Sequence, residues 1–110
     1  MFDPGESLTL RSQAELVDAT VALQEPSLAR GVHNFMVGLT AADGDAAPAL
    51  LSAEATMAAH GHRAEAIIEP SGAQYQIEDL DLFMSGRWQV TLGVELEQRS
   101  DVVEFALDVP

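Results

Sequence analysis

Residues 49–57, Ala-Leu-Leu-Ser-Ala-Glu-Ala-Thr-Met, decide the fold, because this stretch suits a helix and a strand alike. Alanine, leucine, glutamate and methionine favour a helix by propensity. When the stretch is read in twos, Leu51, Ala53, Ala55 and Met57 share one face, and this pattern is typical of a strand. The choice between the two interpretations therefore depends on the rest of the chain.

The surrounding segments alternate between apolar and polar side chains, which favours strands. The clearest alternation lies in residues 32–40, 74–80, 88–94 and 101–109. Residues 8–10 and 64–69 alternate more briefly, and residues 16–23 suit either a strand or a helix. Turn signals such as Asp-Gly-Asp at residues 43–45 separate these segments. Short strands at this spacing predict a β-sandwich or barrel in which residues 49–57 are pleated.

The length of 110 residues predicts one domain that spans residues 1–110, with residues 1–6 as a disordered or trimmed N-terminus. Because aromatic residues make up only 5% of the chain, we expect a thin core of leucine, valine and isoleucine. Its largest expected side chains are Phe35, Phe83, Trp88 and Phe105. No apolar run reaches the roughly 18 residues of a transmembrane helix, and no signal peptide is visible.

The chain is strongly acidic, with 18 aspartate and glutamate residues against 5 arginines and a formal net charge of -13. No basic stripe is present to neutralise phosphates, which argues against nucleic acid and anionic lipid surfaces as partners. A cationic ligand or a basic protein would instead be attracted at low salt. The plainer alternative is that the acidity keeps the protein in solution.

Residues 57–62 gather two of the 3 histidines and one of the 4 methionines. The chain has no cysteine, which excludes disulfides and thiolate sites, so histidine and methionine are its best ligands for a soft or borderline metal. His60 and His62 lie two residues apart and project to one face of an extended segment. Gly61 between them lets the backbone bend. His33, which flanks a buried-looking strand, has the pattern of a structural histidine.

The expected metal site consists of Met57, His60, His62 and Met84. Two imidazoles with one or two thioethers suit Cu(I), whereas imidazoles with carboxylates suit Cu(II) or Zn(II), and Glu65 is the nearest carboxylate. Met84 can contribute a ligand only if its segment, residues 83–88, and the histidine loop, residues 57–62, lie at the same end of the fold. Two alternatives stay open: the methionines fill the core, or the histidines are solvated loop residues.

Signs of catalysis are absent from the sequence. There is no nucleophile elbow, no catalytic cysteine and no phosphate-binding glycine loop. Asp79 and Asp81 share a strand face without a positioned acid partner, so the pair is a weak indication of a glycosidase. We therefore do not expect an enzyme.

Taken in order, the motifs resemble the YtkA-like and FixH-like family of small extracytoplasmic domains. The similarity covers roughly residues 31 to 107. It is carried by the segments 31–37, 42–45, 57–62, 74–80, 83–88 and 101–105. Ala58 and Ser85 stand where the family has prolines, and His60 stands where a second methionine is common. The resemblance implies an immunoglobulin-like antiparallel β-sandwich of about seven strands, usually bacterial and outside the cytoplasm.

Members of that family are sometimes joined to metal-efflux or respiratory-oxidase assembly systems. We therefore expect a non-enzymatic extracytoplasmic binding domain, periplasmic or lipid-anchored, that binds copper through its methionine and histidine loop. The alternative is a structural or protein-interaction module of an envelope assembly, with an envelope protein as its partner and no metal site. The sequence does not fix the oligomeric state, because edge strands can pair between copies.

Overall fold

The computed structural model of the chain describes residues 7–23, 30–44, 47–57, 61–72 and 74–109, and the expectation for residues 1–6 lies outside them. The regular secondary structure of the described residues consists of strands. In chain order these are β1 (Ser7–Arg11), β2 (Val17–Leu23), β3 (Gly31–Ala41), β4 (Ala49–Met57), β5 (His62–Glu65), β6 (Ile67–Ser71), β7 (Gln74–Leu82), β8 (Gly86–Leu96) and β9 (Arg99–Val109).

The strands form two antiparallel sheets that pack face to face. One sheet has the order β1-β2-β3-β7-β6 and the other has the order β5-β4-β8-β9. Strands β2, β3, β7 and β6 together with β4, β8 and β9 reproduce the strand order of a seven-stranded immunoglobulin constant domain. Strands β1 and β5 extend the two sheets at their edges. The predicted all-β sandwich is therefore confirmed, with two strands more than the seven expected.

The ambiguous stretch 49–57 is strand β4, which lies between β5 and β8. Ala53, Ala55 and Met57 face the core, as the alternation predicts. The prediction was wrong at Leu51, which is 57% exposed, while Leu50 is buried in its place. The physical reason is a β-bulge, because the pairing with β8 shifts register between Leu50 and Ser52 and leaves Leu51 as an extra residue.

The core lies between the inner faces of the two sheets. Trp88, Phe35 and Phe105 are buried there, as expected, and burial of each such side chain stabilises the fold by roughly 1.5–3 kcal/mol. Phe83 was also expected in the core, but it is 40% exposed. It follows the last residue of β7 and lies at one end of the sandwich, outside the alternating part of the strand.

One continuous run of residues links the two sheets. Strand β5 belongs to the four-stranded sheet and β6 to the five-stranded sheet, and only Ala66 lies between them. The backbone N–H of Ala66 donates a hydrogen bond of 3.1 Å to the carbonyl of Ala53 on β4. The chain therefore changes sheets without a loop, and it closes one side of the sandwich as it does so.

The buried carboxylate of Asp101 joins the β1–β2 turn to β9. Asp101 on β9 accepts hydrogen bonds from the backbone N–H groups of Ala14 at 2.9 Å, Leu16 at 3.3 Å and Val102 at 2.8 Å. Burial raises the pKa of Asp101, but hydrogen bonds from the Ser12 hydroxyl and from these N–H groups outweigh it and hold the pKa below its ordinary value. The β1–β2 turn is thereby held against β9.

Candidate functional site

The two motif segments of the sequence meet at one end of the sandwich. Strand β4 ends at Met57, directly opposite His62 at the start of β5. The ring of His62 lies edge-on to the ring of Phe83, with 5.0 Å between their centroids. Because Met84 follows Phe83, the segment of Met84 and the segment of His62 lie at the same end of the fold. A site shared by these two segments requires this arrangement. We call this region the motif end; it comprises Met57, His62, Phe83, Met84, Gly86 and Trp88.

Met57 lies inside the core at the motif end. Its side chain is 2% exposed, and a Cβ atom placed on Gly86 would come within 3.2 Å of the Met57 Cε atom. The φ angle of Gly86 is +128°, a backbone conformation that favours glycine. Gly86 therefore leaves the space that the Met57 side chain occupies. The role of Met57 as a copper ligand stays a prediction. The packing favours the alternative interpretation, in which Met57 fills the core.

Trp88 orders the segment that carries Met84. The indole is fully buried, and its Nε1–H donates a hydrogen bond of 3.0 Å to the Met84 carbonyl. The ring of Phe83 lies edge-on to the indole at a centroid distance of 5.3 Å. The Met84 side chain is half-buried and packs against the core. The backbone of this segment is thus fixed by Trp88, while the thioether lies at the boundary between core and surface.

His62 is the accessible imidazole of the described motif end. It is half-buried and lies on the same face as Met57, because the two residues are directly paired across β4 and β5. Gly61 precedes it with a φ angle of +66°. His60 lies outside the described residues, so its place beside His62 stays a prediction from their spacing. The rings of His62, Phe83 and Trp88 form a continuous edge-to-face row.

Glu65, proposed from the sequence as the nearest carboxylate, lies on the outer face of β5. The side chains of neighbouring strand residues alternate between faces, so His62 and Glu65 point to opposite sides. Arg63 bridges Glu65 and Glu54 on that outer face, with its Nη2 atom 3.0 Å from one carboxylate and 2.5 Å from the other. Glu65 therefore contributes to the outer face of the sheet.

His33 belongs to the core of the five-stranded sheet. It is 5% exposed and lies opposite Leu80 of β7. This burial agrees with the interpretation of His33 as a structural histidine.

The described residues contain no cluster of three or more histidine, aspartate and glutamate side chains able to hold a metal ion. The expected donor set is of a different kind, since it depends on thioethers and on His60. The arrangement fits a soft ion in part: one half-buried imidazole and one half-buried thioether lie on adjoining segments, while the second thioether is in the core. A soft ion prefers such ligands to carboxylates.

Across the described strands and turns, we find no helix with the length and apolar character needed to cross a membrane. Comparison of the chain with protein-family models, with curated proteins and with solved structures gave no match. The resemblance to YtkA-like and FixH-like domains therefore stays a prediction that the motifs themselves carry.

Proposed function

We propose that this protein is an extracytoplasmic binding domain, periplasmic or lipid-anchored, that handles copper at the motif end of its sandwich. The observation that supports the proposal is the ring contact between His62 and Phe83 at 5.0 Å. It brings His62 next to the segment of Met84, although about twenty residues separate them in the sequence. Catalysis has no part in this proposal, because its residues are ligands and packing groups only.

The imidazoles of His60 and His62 and the thioether of Met84 are the principal ligands in this proposal. Imidazole and thioether groups together suit Cu(I), and the absence of cysteine leaves no thiolate to compete for it. Of the three expected ligands that the structure describes, Met57 is the least accessible, since its side chain is in the core. Its main contribution is therefore to hold the strand end from which the histidine loop starts.

Titration of the protein with Cu(I) under anaerobic conditions, in competition with a coloured Cu(I) chelator, tests the proposal. We expect a 1:1 complex in the wild type and at least about tenfold weaker binding in a His60→Ala/His62→Ala variant and in Met84→Leu, because each change removes ligands. Met36→Leu on β3 is the matched control, since Met36 is also half-buried but lies within a strand outside the motif end. It should bind copper as the wild type does.

Thermal unfolding gives a second readout of the same site. A ligand that binds only the folded state stabilises it by about 2.7 kcal/mol at a hundredfold excess over its dissociation constant. The melting temperature of the wild type should therefore rise with Cu(I), and that of the double histidine variant should not. An unchanged melting temperature in the wild type, or an equal rise in the variant, would contradict the proposal.

A further inference from the structure

A groove of about 530 Å³ lies at the side of the sandwich, beside the bulge of β4 and the crossing from β5 to β6. Leu51 and Ile68 supply its apolar surface, and Glu54, Glu65 and Arg63 supply its charged groups. Met57, His62 and Met84 do not line this groove. It is therefore a separate feature from the motif end.

The path of the chain creates this groove. Strand β5 pairs only with residues 54–57 of β4, and the chain then crosses to the other sheet at Ala66. Within the described part of the chain, no strand pairs with residues 49–52 on that side of β4. Half of β4 thus has an open edge that continues the line of β5.

The bulge of β4 places an apolar side chain at this open edge. Leu51 would face the core in a regular strand, but the bulge turns it outward, where it is 57% exposed. Bulges beside functional sites commonly re-aim a side chain in this way. Ile68, which is half-buried, lines the same groove from β6. Together they provide apolar contact area that the described residues leave at least partly exposed.

The charged groups of the groove favour a cationic partner. Glu54 and Glu65 share the single guanidinium of Arg63, so one carboxylate charge is left without a balancing cation in this trio. Glu104 adds another carboxylate to the same face of the sheet, where Gln89 donates to it at 3.2 Å. A second copy of the chain would bring a further net charge of -13, and the repulsion disfavours it as the occupant.

We propose that this groove docks an extended segment of a basic protein partner, in which a lysine or arginine lies next to an apolar residue. The segment adds as a short strand along residues 49–52 of β4, in line with β5. Its apolar side chain packs on Leu51 and Ile68, and its cation contacts Glu65. This docking does not depend on copper, because Met57, His62 and Met84 do not line the groove.

The test uses the copper-free protein and three synthetic peptides: Val-Lys-Val-Lys-Val, its acidic counterpart Val-Glu-Val-Glu-Val, and Gly-Lys-Gly-Lys-Gly, all with blocked ends. Peptide binding is followed by amide chemical shifts in two-dimensional NMR spectra. We expect only the first peptide to bind well, with the largest shifts at residues 50–54 and 63–68. Raising NaCl from about 20 mM to about 300 mM should weaken binding severalfold, because the charge pairing is screened.

Two variants and two matched controls locate the contact. Leu51→Ser should weaken binding of Val-Lys-Val-Lys-Val about fivefold to tenfold, and Glu65→Gln should weaken it about threefold at low salt. Val32→Ser and Asp81→Asn are the controls: Val32 is 54% exposed, and the two residues face each other on the outer side of the other sheet. Both controls should bind the peptide as the wild type does.

Several outcomes would overturn the docking proposal. One is the absence of peptide-induced shifts at millimolar concentration, and another is equal binding of the acidic peptide. Equal losses in the Leu51→Ser variant and in the Val32→Ser control would also exclude a specific site. A requirement for added Cu(I) would refute the separation of the groove from the motif end, while a failure of copper binding alone would leave the docking result unaffected.

Discussion

At the scale of single residues, the packing of the motif end depends on glycine at position 86, which has no side chain. Gly86 begins β8 with a φ angle of +128°, and the Met57 Cε atom lies 3.2 Å from the position that a Cβ atom would take. Gly31 begins β3 with a nearly identical φ angle of +125°, but no atom lies within 4 Å of its Cβ position. A comparison of substitutions at the two glycines therefore distinguishes the effect of backbone strain from the effect of side-chain crowding.

Gly86→Ala should destabilise the protein more than Gly31→Ala does. Each change places alanine in a backbone conformation that costs about 1–3 kcal/mol for a residue with a Cβ atom. Only the change at Gly86 also crowds Met57, which adds about 1 kcal/mol of overpacking. Urea unfolding of both variants measures the difference in the free energy of unfolding. Equal losses would mean that Met57 moves aside freely.

At the scale of secondary-structure elements, two β-bulges decide which residues face the core. The first is the extra Leu51 of β4. The second lies in β7, where two residues face Asn34 of β3; the φ angle of Asp79 is +61°, and its N–H donates to the Asn34 Oδ1 atom at 3.1 Å. This bulge lets Ile77 and Leu80 both enter the core although three positions separate them.

The sequence predicted the strands better than it predicted these irregularities. Period-two alternation identified the strands because each has one buried face, and it correctly outweighed the helix propensity of residues 49–57. It could not reveal the crossing at Ala66, because the alternation of Ala64, Ala66 and Ile68 continues through the change of sheet. It also placed Leu51 instead of Leu50 on the buried face, because a regular alternation cannot anticipate the extra residue that the pairing with β8 reveals.

Deletion of Leu51 should leave a folded protein. Without the extra residue, Leu50 and Ser52 would still face Val94 and Gly93, so the buried face of β4 keeps its register. Deletion of Thr91 from the regular strand β8 is the control, because it moves every following side chain to the opposite face and should abolish folding. Circular dichroism and amide NMR spectra distinguish the two results. An unfolded Leu51 deletion would show that the bulge itself is required.

At the scale of the whole molecule, the site was less predictable than the fold. The pattern that identifies strands contains no information about which loops meet, so the proximity of His62 and Phe83 follows from the strand order alone. The burial of Met57 depends on the absence of a side chain at Gly86, which lies on a different strand. The hydrogen bonds of Asp101 to the β1–β2 turn likewise join segments that are distant in the sequence, and no sequence motif predicted them.

Asp101→Asn should destabilise the protein by about 1–3 kcal/mol at neutral pH, because charge-assisted hydrogen bonds to a buried group are weakened. The pKa of Asp101 is lower in the folded state than its ordinary value. Its stabilisation is therefore full above that ordinary value, and it is lost as the pH falls through the folded-state pKa. The stability difference between wild type and variant should accordingly shrink below about pH 4.

Urea unfolding at a series of pH values measures this difference. Asp43→Asn is the control, since Asp43 is an exposed carboxylate in the segment that follows β3. It should cost little at any pH. A difference between wild type and Asp101→Asn that stays constant from neutral to acidic pH would contradict the role given to the carboxylate.

The hydrogen bonds of Asp101 have a consequence for biosynthesis. Ala14 and Asp101 lie 87 positions apart, so the contact between them forms only after the ribosome has released nearly all of these strands. During synthesis, β8 leaves the exit tunnel before β9, so the backbone N–H and C=O groups along one edge of β8 stay unpaired until β9 arrives. We expect a chain that is cut short within β9 to leave this edge of β8 unpaired and to aggregate more readily.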